Sequence, residues 1–404
     1  MVNSPHRSDT PWAVFLIFLR MGLTSFGGPV AHLGYFHQEF VVRRRWLTEV
    51  RYADLVALCQ FLPGPASSQV GIALGLGRAG HAGALAAWLG FTLPSAVLMV
   101  VFAYGLGFGV GPIGAGALHG LALVAVAVVA LATLAMTRSL CPHLPERLIM
   151  LTTAIAVITA GQLVWLQGAL LLCVAILGGL TLRASSPAAE APAPKPSRLA
   201  GVEWLLLFFI VLLLTPVAAT FWAAPQLELF ERFYRTGSLV FGGGHVVLPL
   251  LQAEVVTPGS IDPATFLAGY GAAQALPGPL FSFAAFLGAS MGGWSAAVVA
   301  VVAIFLPSFL LVFGALPYWE LLRAQARVRA ALKAVNAAVV GLVLAALIDL
   351  SRMVWVDAHS PWWIDIPGLV LAIVALHRWR QPPWLVVLLG GVAGVLLDMA
   401  GLIG

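Results

Sequence analysis

Gln60-Phe61-Leu62-Pro63-Gly64-Pro65 and Gln274-Ala275-Leu276-Pro277-Gly278-Pro279 are the stretches on which the reading of this chain turns. They recur at an offset of 214 (274 − 60), and each sets Pro-Gly-Pro inside an apolar run. Proline lacks an N–H and glycine weakens a helix, so a helix entering either stretch should end or kink there. Other landmarks repeat in the same order. Arg20-Met21-Gly22-Leu23-Thr24-Ser25-Phe26-Gly27-Gly28 recurs as Arg235-Thr236-Gly237-Ser238-Leu239-Val240-Phe241-Gly242-Gly243, at an offset of 215 (235 − 20) that also places Glu39 on Glu254. Leu93-Pro94-Ser95 recurs as Leu306-Pro307-Ser308 at an offset of 213 (306 − 93). Ordered landmarks whose offsets drift by so little mark an internal duplication. The expected organisation is a first repeat over 1–183, a linker over 184–201 and a second repeat over 202–404. The linker is rich in Ala, Pro and Ser and carries Lys195 and Arg198.

Composition sets the environment of this duplication. Of 404 residues, 61% are hydrophobic and only 9% are charged, with a mean hydropathy of +0.98. A soluble domain carries roughly a quarter charged residues. Bilayer-spanning backbone must satisfy its own hydrogen bonds, which leaves helical bundles and closed barrels. Unbroken runs such as Leu121 to Met136 and Trp204 to Leu214 lack the alternation of a barrel strand. The expected fold class is therefore an all-α polytopic membrane protein. The net charge of +5 fits positively charged cytoplasmic loops better than a nucleic-acid partner, and none is expected. Cys59, Cys141 and Cys173 form no metal or disulfide pattern, and no cofactor is expected. The first apolar stretch is interrupted by Gly27-Gly28-Pro29 and has a later counterpart, so it does not read as a signal peptide.

Arginine placement orients the repeats. Arg43, Arg44, Arg45 and Arg51 fill the loop between the first half's two motifs, and the matching loop 255–265 has none. Conversely, Arg323, Arg327, Arg329 and Lys333 precede a late helix of the second half, where the matching stretch 105–116 is neutral. Under the positive-inside rule, equivalent loops then face opposite sides, which makes an inverted-topology repeat. Residues 12–40 and 53–77 have arms of about 18 Å around their breaks, short of a hydrocarbon core of about 30 Å. They read as re-entrant hairpins from the cytoplasm, mirrored by 230–254 and 264–290; the alternative is one kinked crossing each. Full crossings are expected near 82–104, 117–137, 148–161, 163–182, 203–222, 293–316, 333–349, 361–377 and 384–403. The N-terminus then lies inside and the C-terminus outside.

Broken helices in corresponding positions are the best sequence pointer to a transport site, and half-helix N-termini suit an anion. The candidates at the breaks are Ser25, Gly27, Gly28, Pro63, Gly64, Pro65, Gly242, Gly243, Pro277, Gly278 and Pro279; alternatively, these glycines and prolines only permit kinks or close packing. Arg20 and Arg235 are equivalent arginines in apolar segments, expected either to bind an oxyanion, to snorkel to the interface, or to pair with a carboxylate such as Glu39, Glu231 or Glu254. Glu39 and Glu254 are candidates to carry a coupling proton, or are exposed loop-end carboxylates. Gln60, Gln274, Ser67, Ser68 and Ser282 could replace an ion's hydration shell, or cap the broken helices or bridge between helices. Asn336 reads as a helix–helix hydrogen bond or a gate. His32 and His245, not strictly equivalent, read as interfacial or hydrogen-bonded. No paired acid–base constellation appears, so an enzyme is not expected.

Phe18-Leu19-Arg20-Met21-Gly22-Leu23-Thr24-Ser25-Phe26-Gly27-Gly28-Pro29 and Gln60-Phe61-Leu62-Pro63-Gly64-Pro65, with their second-half echoes, resemble the chromate ion transporter family in its long bidomain form. The resemblance covers nearly the whole chain apart from the N-terminal tail and linker. It implies secondary active export of chromate from the cytoplasm, with sulfate as an analogue and the proton-motive force as energy source. The implied setting is the inner (plasma) membrane, with an oxyanion and the lipid bilayer as partners; a homodimer is one assembly open to it, and the sequence does not fix the oligomeric state. A passive anion channel, or a transporter of another small anion, remains the alternative. Gly244 stands where the first half has Pro29, so the halves are expected to contribute unequally.

Overall fold

The computed structural model describes residues 9–26, 28–107, 112–160, 164–182, 201–222, 224–240, 247–319, 325–352, 354–355, 362–400 and 402. Among them there is no β-strand, and the chain is an all-α polytopic membrane protein. The linker, apart from Gly201, and the stretch holding Gly242, Gly243 and His245 lie outside the described residues, as does Gly27.

The first half opens with α1, Pro11–Thr24, started by Pro11 in its first turn and by the Thr10 side chain, which accepts from the Ala13 N–H. It stops at Ser25, whose backbone is extended. α2, Gly28–Phe36, runs on as a π-helical turn over His37–Arg43. α3, Glu49–Phe61, is capped by Thr48 and ends at extended Leu62, where the predicted break begins. α4, Ala66–Gly107, is two arms: at Ala79 and Gly80 the backbone leaves helical geometry, with Gly80 at φ +61°. The chain reverses there, since a Cβ on Gly75 would stand 2.3 Å from the Gly83 carbonyl oxygen. Only glycines allow the arms so close. The arm over 81–107 is about 40 Å long at 1.5 Å per residue, enough to cross a bilayer core. α5, Pro112–Leu140, α6, Leu144–Ala160, and α7, Val164–Thr181, follow.

The second half adds α8, Val202–Phe221, and then runs through the same sequence of elements. These are α9, Pro225–Leu239; α10, Val247–Val255; α11, Pro263–Ala275, capped by Asp262; and a 3-10 turn, Leu280–Ser282, leading into α12, Phe283–Ala315. α12 also reverses, at Gly292 and Gly293 (φ +75°), an offset of 213 from the α4 turn (293 − 80). α13, Ala326–Arg352, α14, Trp362–His377, and α15, Pro383–Met399, complete the chain. Among the described residues, five helices are long and apolar enough to cross a membrane: Ala66–Leu106, Gly116–Leu140, Val202–Phe221, Leu280–Tyr318 and Ala326–Arg352.

Packing crosses between the halves. α1 lies against α4 and α9 against α12, α4 packs on α12, α5 on α14 and α15, and α13 on α6 and α7. Trp88 meets Phe305 and Phe309 edge-on at the α4–α12 crossing, each at 5.6 Å between centroids. α8 exposes Leu206, Phe209, Ile210, Leu213, Leu214 and Phe221. Such a patch would be a liability in water and is a lipid-facing surface in a bilayer. Tight α1–α4 and α9–α12 contacts recur at matching positions. A Cβ on Gly22 would lie 2.7 Å from the Phe91 carbonyl oxygen, and one on Gly237 would lie 2.2 Å from that of Ile304. Gly237→Ala should therefore lower stability by about 1–3 kcal/mol, an overpacking cost. The check is thermal unfolding in detergent, with Gly34→Ala, where nothing lies within 4 Å, as the silent control.

Candidate functional site

The two Pro-Gly-Pro breaks are held by the opposite halves. Gly64 and Gly278 sit at φ +124° and +101°, the left-handed region that side chains avoid. The Gly64 N–H donates to the Val240 carbonyl at 2.6 Å, and the Gly278 N–H donates to the Ser25 carbonyl at 3.0 Å. Ser25 closes α1 and Val240 closes α9, and they are themselves related by the offset of 215 (240 − 25). One bond is thus made twice, each time from one half's break to the other half's first helix.

Serines from the repeated Leu-Pro-Ser stretch complete the contact. A Cβ on Gly64 would meet the Ser308 Oγ at 2.5 Å, and a Cβ on Gly278 would meet the Ser95 Oγ at 2.8 Å. Ser95 Oγ donates to the Thr92 carbonyl at 3.0 Å, and Gln69 Nε2 donates to that of Pro63 at 2.6 Å. The Ser308 and Ser68 hydroxyls, Thr92 Oγ1 and Gln69 Oε1 are buried without a hydrogen-bond partner among the described residues. Buried polar groups are ordinarily paired, so unpaired hydroxyl donors beside a helix break suit an anionic ligand. The N-termini of α4 and α12 start beside these breaks and add the positive end of their dipoles. A cleft of 940 Å³ between α4, α5, α11 and α15 reaches Phe26 and Pro277, but its walls are almost wholly apolar. A bare anion would lose its hydration there without compensation.

The structure brings together most of the expected break residues. Ser25, Gly64, Pro65, Ser67, Pro277 to Pro279 and Ser282 are buried or nearly so, Pro63 is half-buried, and Gly28 starts α2 at φ +78°. The two glutamines differ: Gln60 is exposed, whereas Gln274 is half-buried and hydrogen-bonds Tyr270. Asn336 is half-buried on α13. His32 is buried and its Nε2 bonds the Ser25 carbonyl at 3.2 Å, joining the break after α1. Ser68, expected from its place just after Pro-Gly-Pro, is buried there, whereas Gln69, Ser95 and Ser308 are not among the expected residues. The recurrence of Leu-Pro-Ser in two long apolar runs is the signal that marks two of them.

The arginines are in unlike states. Arg235 is enclosed by two carboxylates: it bonds Glu254 through Nε and Nη2 at 2.9 and 2.6 Å and pairs with Glu231 one turn earlier. Arg20 is exposed and makes no side-chain hydrogen bond or ion pair among the described residues. Its equivalent acid, Glu39, is held instead by Arg44 at 2.6 Å and Arg43 at 3.0 Å. Burial alone would raise the Glu39 pKa, but hydrogen bonds from Arg44 and Arg43 hold it below the usual carboxylate range.

The sequence profile of the family described as chromate transporter matches residues 12–183 and 227–395. The chain belongs to the chromate transporter family. Its relatives include a "Probable chromate transport protein" of Synechococcus elongatus, 28% identical over 94% of this chain and 93% of that protein. The chromate transport proteins of Pseudomonas aeruginosa and Cupriavidus metallidurans are 29% and 27% identical, over 95% and 93% of this chain and 92% of each relative. No solved structure matches the chain. Membership in the chromate transporter family points to a transporter and away from an enzyme. The differing arginines give a direct test. Arg235→Ala should cost about 3–5 kcal/mol, because it strands two buried carboxylates, whereas Arg20→Ala should leave the unfolding midpoint in detergent nearly unchanged.

Proposed function

We propose that this chromate transporter family member is a secondary active exporter that moves chromate, or a related oxyanion such as sulfate, out of the cytoplasm by alternating access. The reading places it as a multi-pass plasma-membrane protein, functioning as a homodimer, with its N-terminus inside and C-terminus outside. Its two halves are inverted repeats, and their broken segments re-enter the membrane from opposite sides. The observation that carries it is the reciprocal closure of the breaks, Gly64 on Val240 and Gly278 on Ser25. It supports a substrate site shared by both halves, where Ser308, Ser68 and the helix N-termini offer donors to a dianion. Arg20, exposed near the end of α1, would collect the anion, and Glu39 and Glu254 are the carboxylates able to exchange partners as the site opens.

A passive channel of the same architecture is the second reading. The unlike arginine states weigh against it. A pore open to both sides has no need for one member of an equivalent Arg–Glu pair to be closed while the other is apart. A carrier that exposes its site to one side at a time does need this asymmetry.

The test is uptake of labelled chromate and sulfate into inside-out vesicles, with and without an imposed pH gradient. Saturable accumulation above equilibrium, with each anion competing against the other, is expected. Flux that only follows the electrochemical gradient would indicate the channel, and no uptake of either anion by folded protein would sink the oxyanion assignment. Arg20→Ala is expected to abolish transport while membrane insertion persists. Ser308→Ala should raise the half-saturating concentration by about tenfold or more, since a hydrogen bond to a charged group contributes about 1.5–3 kcal/mol.

A further inference from the structure

Away from the breaks, two ion pairs among the described residues join one half of the chain to the other. His119 on α5 meets Asp365 on α14 at 2.7 Å. Lys333 on α13 meets Glu146 on α6 at 2.5 Å. His119 and Lys333 are related by an offset of 214 (333 − 119), that of the two Pro-Gly-Pro stretches. Both acids lie in the first turn of their helices. The same cross-half contact therefore occurs twice. One copy carries lysine, charged at any physiological pH, and the other carries histidine, the side chain whose charge changes between about pH 5 and 8.

Asp365 is fully buried, and its Oδ2 has no partner among the described residues. With a neutral imidazole it stands as an uncompensated carboxylate in the interior, which is costly; with an imidazolium the pair is neutral. His119 Nε2 faces the carboxylate, and because an ionised carboxylate can only accept, Nε2 is the donor of this hydrogen bond. The neighbouring helices carry charged groups of both signs. Asp398 on α15 accepts the Gly116 N–H at 3.3 Å, about one turn before His119. α11 contributes no acid or base beyond Tyr270, and α14 carries only Asp365 and its terminal His377. α13 has Asp349 and Arg352 near its C-terminal end, with Arg327, Arg329 and Lys333 near its start.

The pair is also mechanically connected to a break. Leu121 follows His119 on α5, and a Cβ on Gly271 of α11 would lie 3.1 Å from the Leu121 carbonyl oxygen. α11 ends at Ala275, immediately before Leu276 and Pro277-Gly278-Pro279. We propose that His119 and Asp365 form a proton-binding site that couples proton entry to anion movement, with Lys333–Glu146 as its non-titrating counterpart. The coupling rests on the transporter reading above; the proton binding stands apart from it.

Two measurements separate these parts. In ¹⁵N-histidine NMR of the purified protein, one imidazole that titrates between pH 5 and 8 is expected to vanish in His119→Lys. That variant reproduces the Lys333–Glu146 pairing and so is chosen to fold; Asp365→Asn, nearly isosteric, is the second variant and should shift the same titration. In inside-out vesicles with an acidic lumen, one coupled proton raises anion accumulation by up to about tenfold per pH unit, the tenfold equivalent of 1.4 kcal/mol. His119→Lys and Asp365→Asn should bring that response to unity. A His119 that does not titrate in this range overturns the site. Variants that respond to the pH gradient as the parent does overturn the coupling, as does a parent whose anion flux ignores the gradient. A parent that moves neither chromate nor sulfate defeats the transporter reading, while the NMR titration still decides whether the proton site exists.

Discussion

A polar backbone group inside a bilayer has no water to turn to, so a chain that breaks its own helices there must find partners elsewhere in the protein. Pro63-Gly64-Pro65 and Pro277-Gly278-Pro279 place this demand on the chain twice, since two prolines remove donors and the glycine between them leaves one N–H unhoused. Each N–H is taken by a carbonyl at the end of the other half's first helix. That requirement dictates much around it. α1 and α9 must stop at Ser25 and Val240 to free those carbonyls, and α4 and α12 must come close enough for Ser95 and Ser308 to touch the opposite glycine. Glycines at 22 and 237, which let α1 and α9 sink onto their partners, serve the same approach.

Backbone and electrostatics follow different symmetries. The glycine contacts, helix reversals and break hydrogen bonds recur at matching positions in both halves. The charges do not. Arg235 is closed on Glu254 and Glu231, while Arg20 stands open and Glu39 is bound by Arg43 and Arg44. α11 packs on α5 and buries its apolar face, whereas α3, its equivalent, leaves Gln60 exposed. One backbone plan thus carries two different arrangements of charge within a single structure.

Much of this was legible in the sequence, for identifiable reasons. Unbroken apolar runs give helix limits directly, so the crossings expected over 117–137 and 203–222 fall on α5 and α8. Proline and glycine announce breaks locally, and Leu62 and Leu276 indeed leave the helix where Pro-Gly-Pro begins. What escaped was every partner chosen by tertiary packing. Gly64 and Val240 are far apart in the chain, as are His119 and Asp365, so no periodicity links them. The arginines show the limit most clearly. Arg20 and Arg235 are indistinguishable by position, but only Arg235 has a second acid, Glu231, one turn before it on α9, where α1 has Leu16.

Reciprocal closure also defines the unit that can be stable. Residues 1–183 alone would leave the Gly64 N–H without the Val240 carbonyl, and α5 without the face of α15 that meets it. Gly116 and Gly120 show how intimate that last contact is, since a Cβ on Gly120 would stand 2.0 Å from the Gly390 carbonyl oxygen. Each lost contact would expose polar backbone or bare a close-packed groove to lipid, costs that accumulate in hydrocarbon where no solvent offsets them. The two halves are therefore interlocked rather than appended. The Gly64–Val240 and Gly278–Ser25 hydrogen bonds tie each break to the first helix of the opposite half, so neither break is completed by its own half.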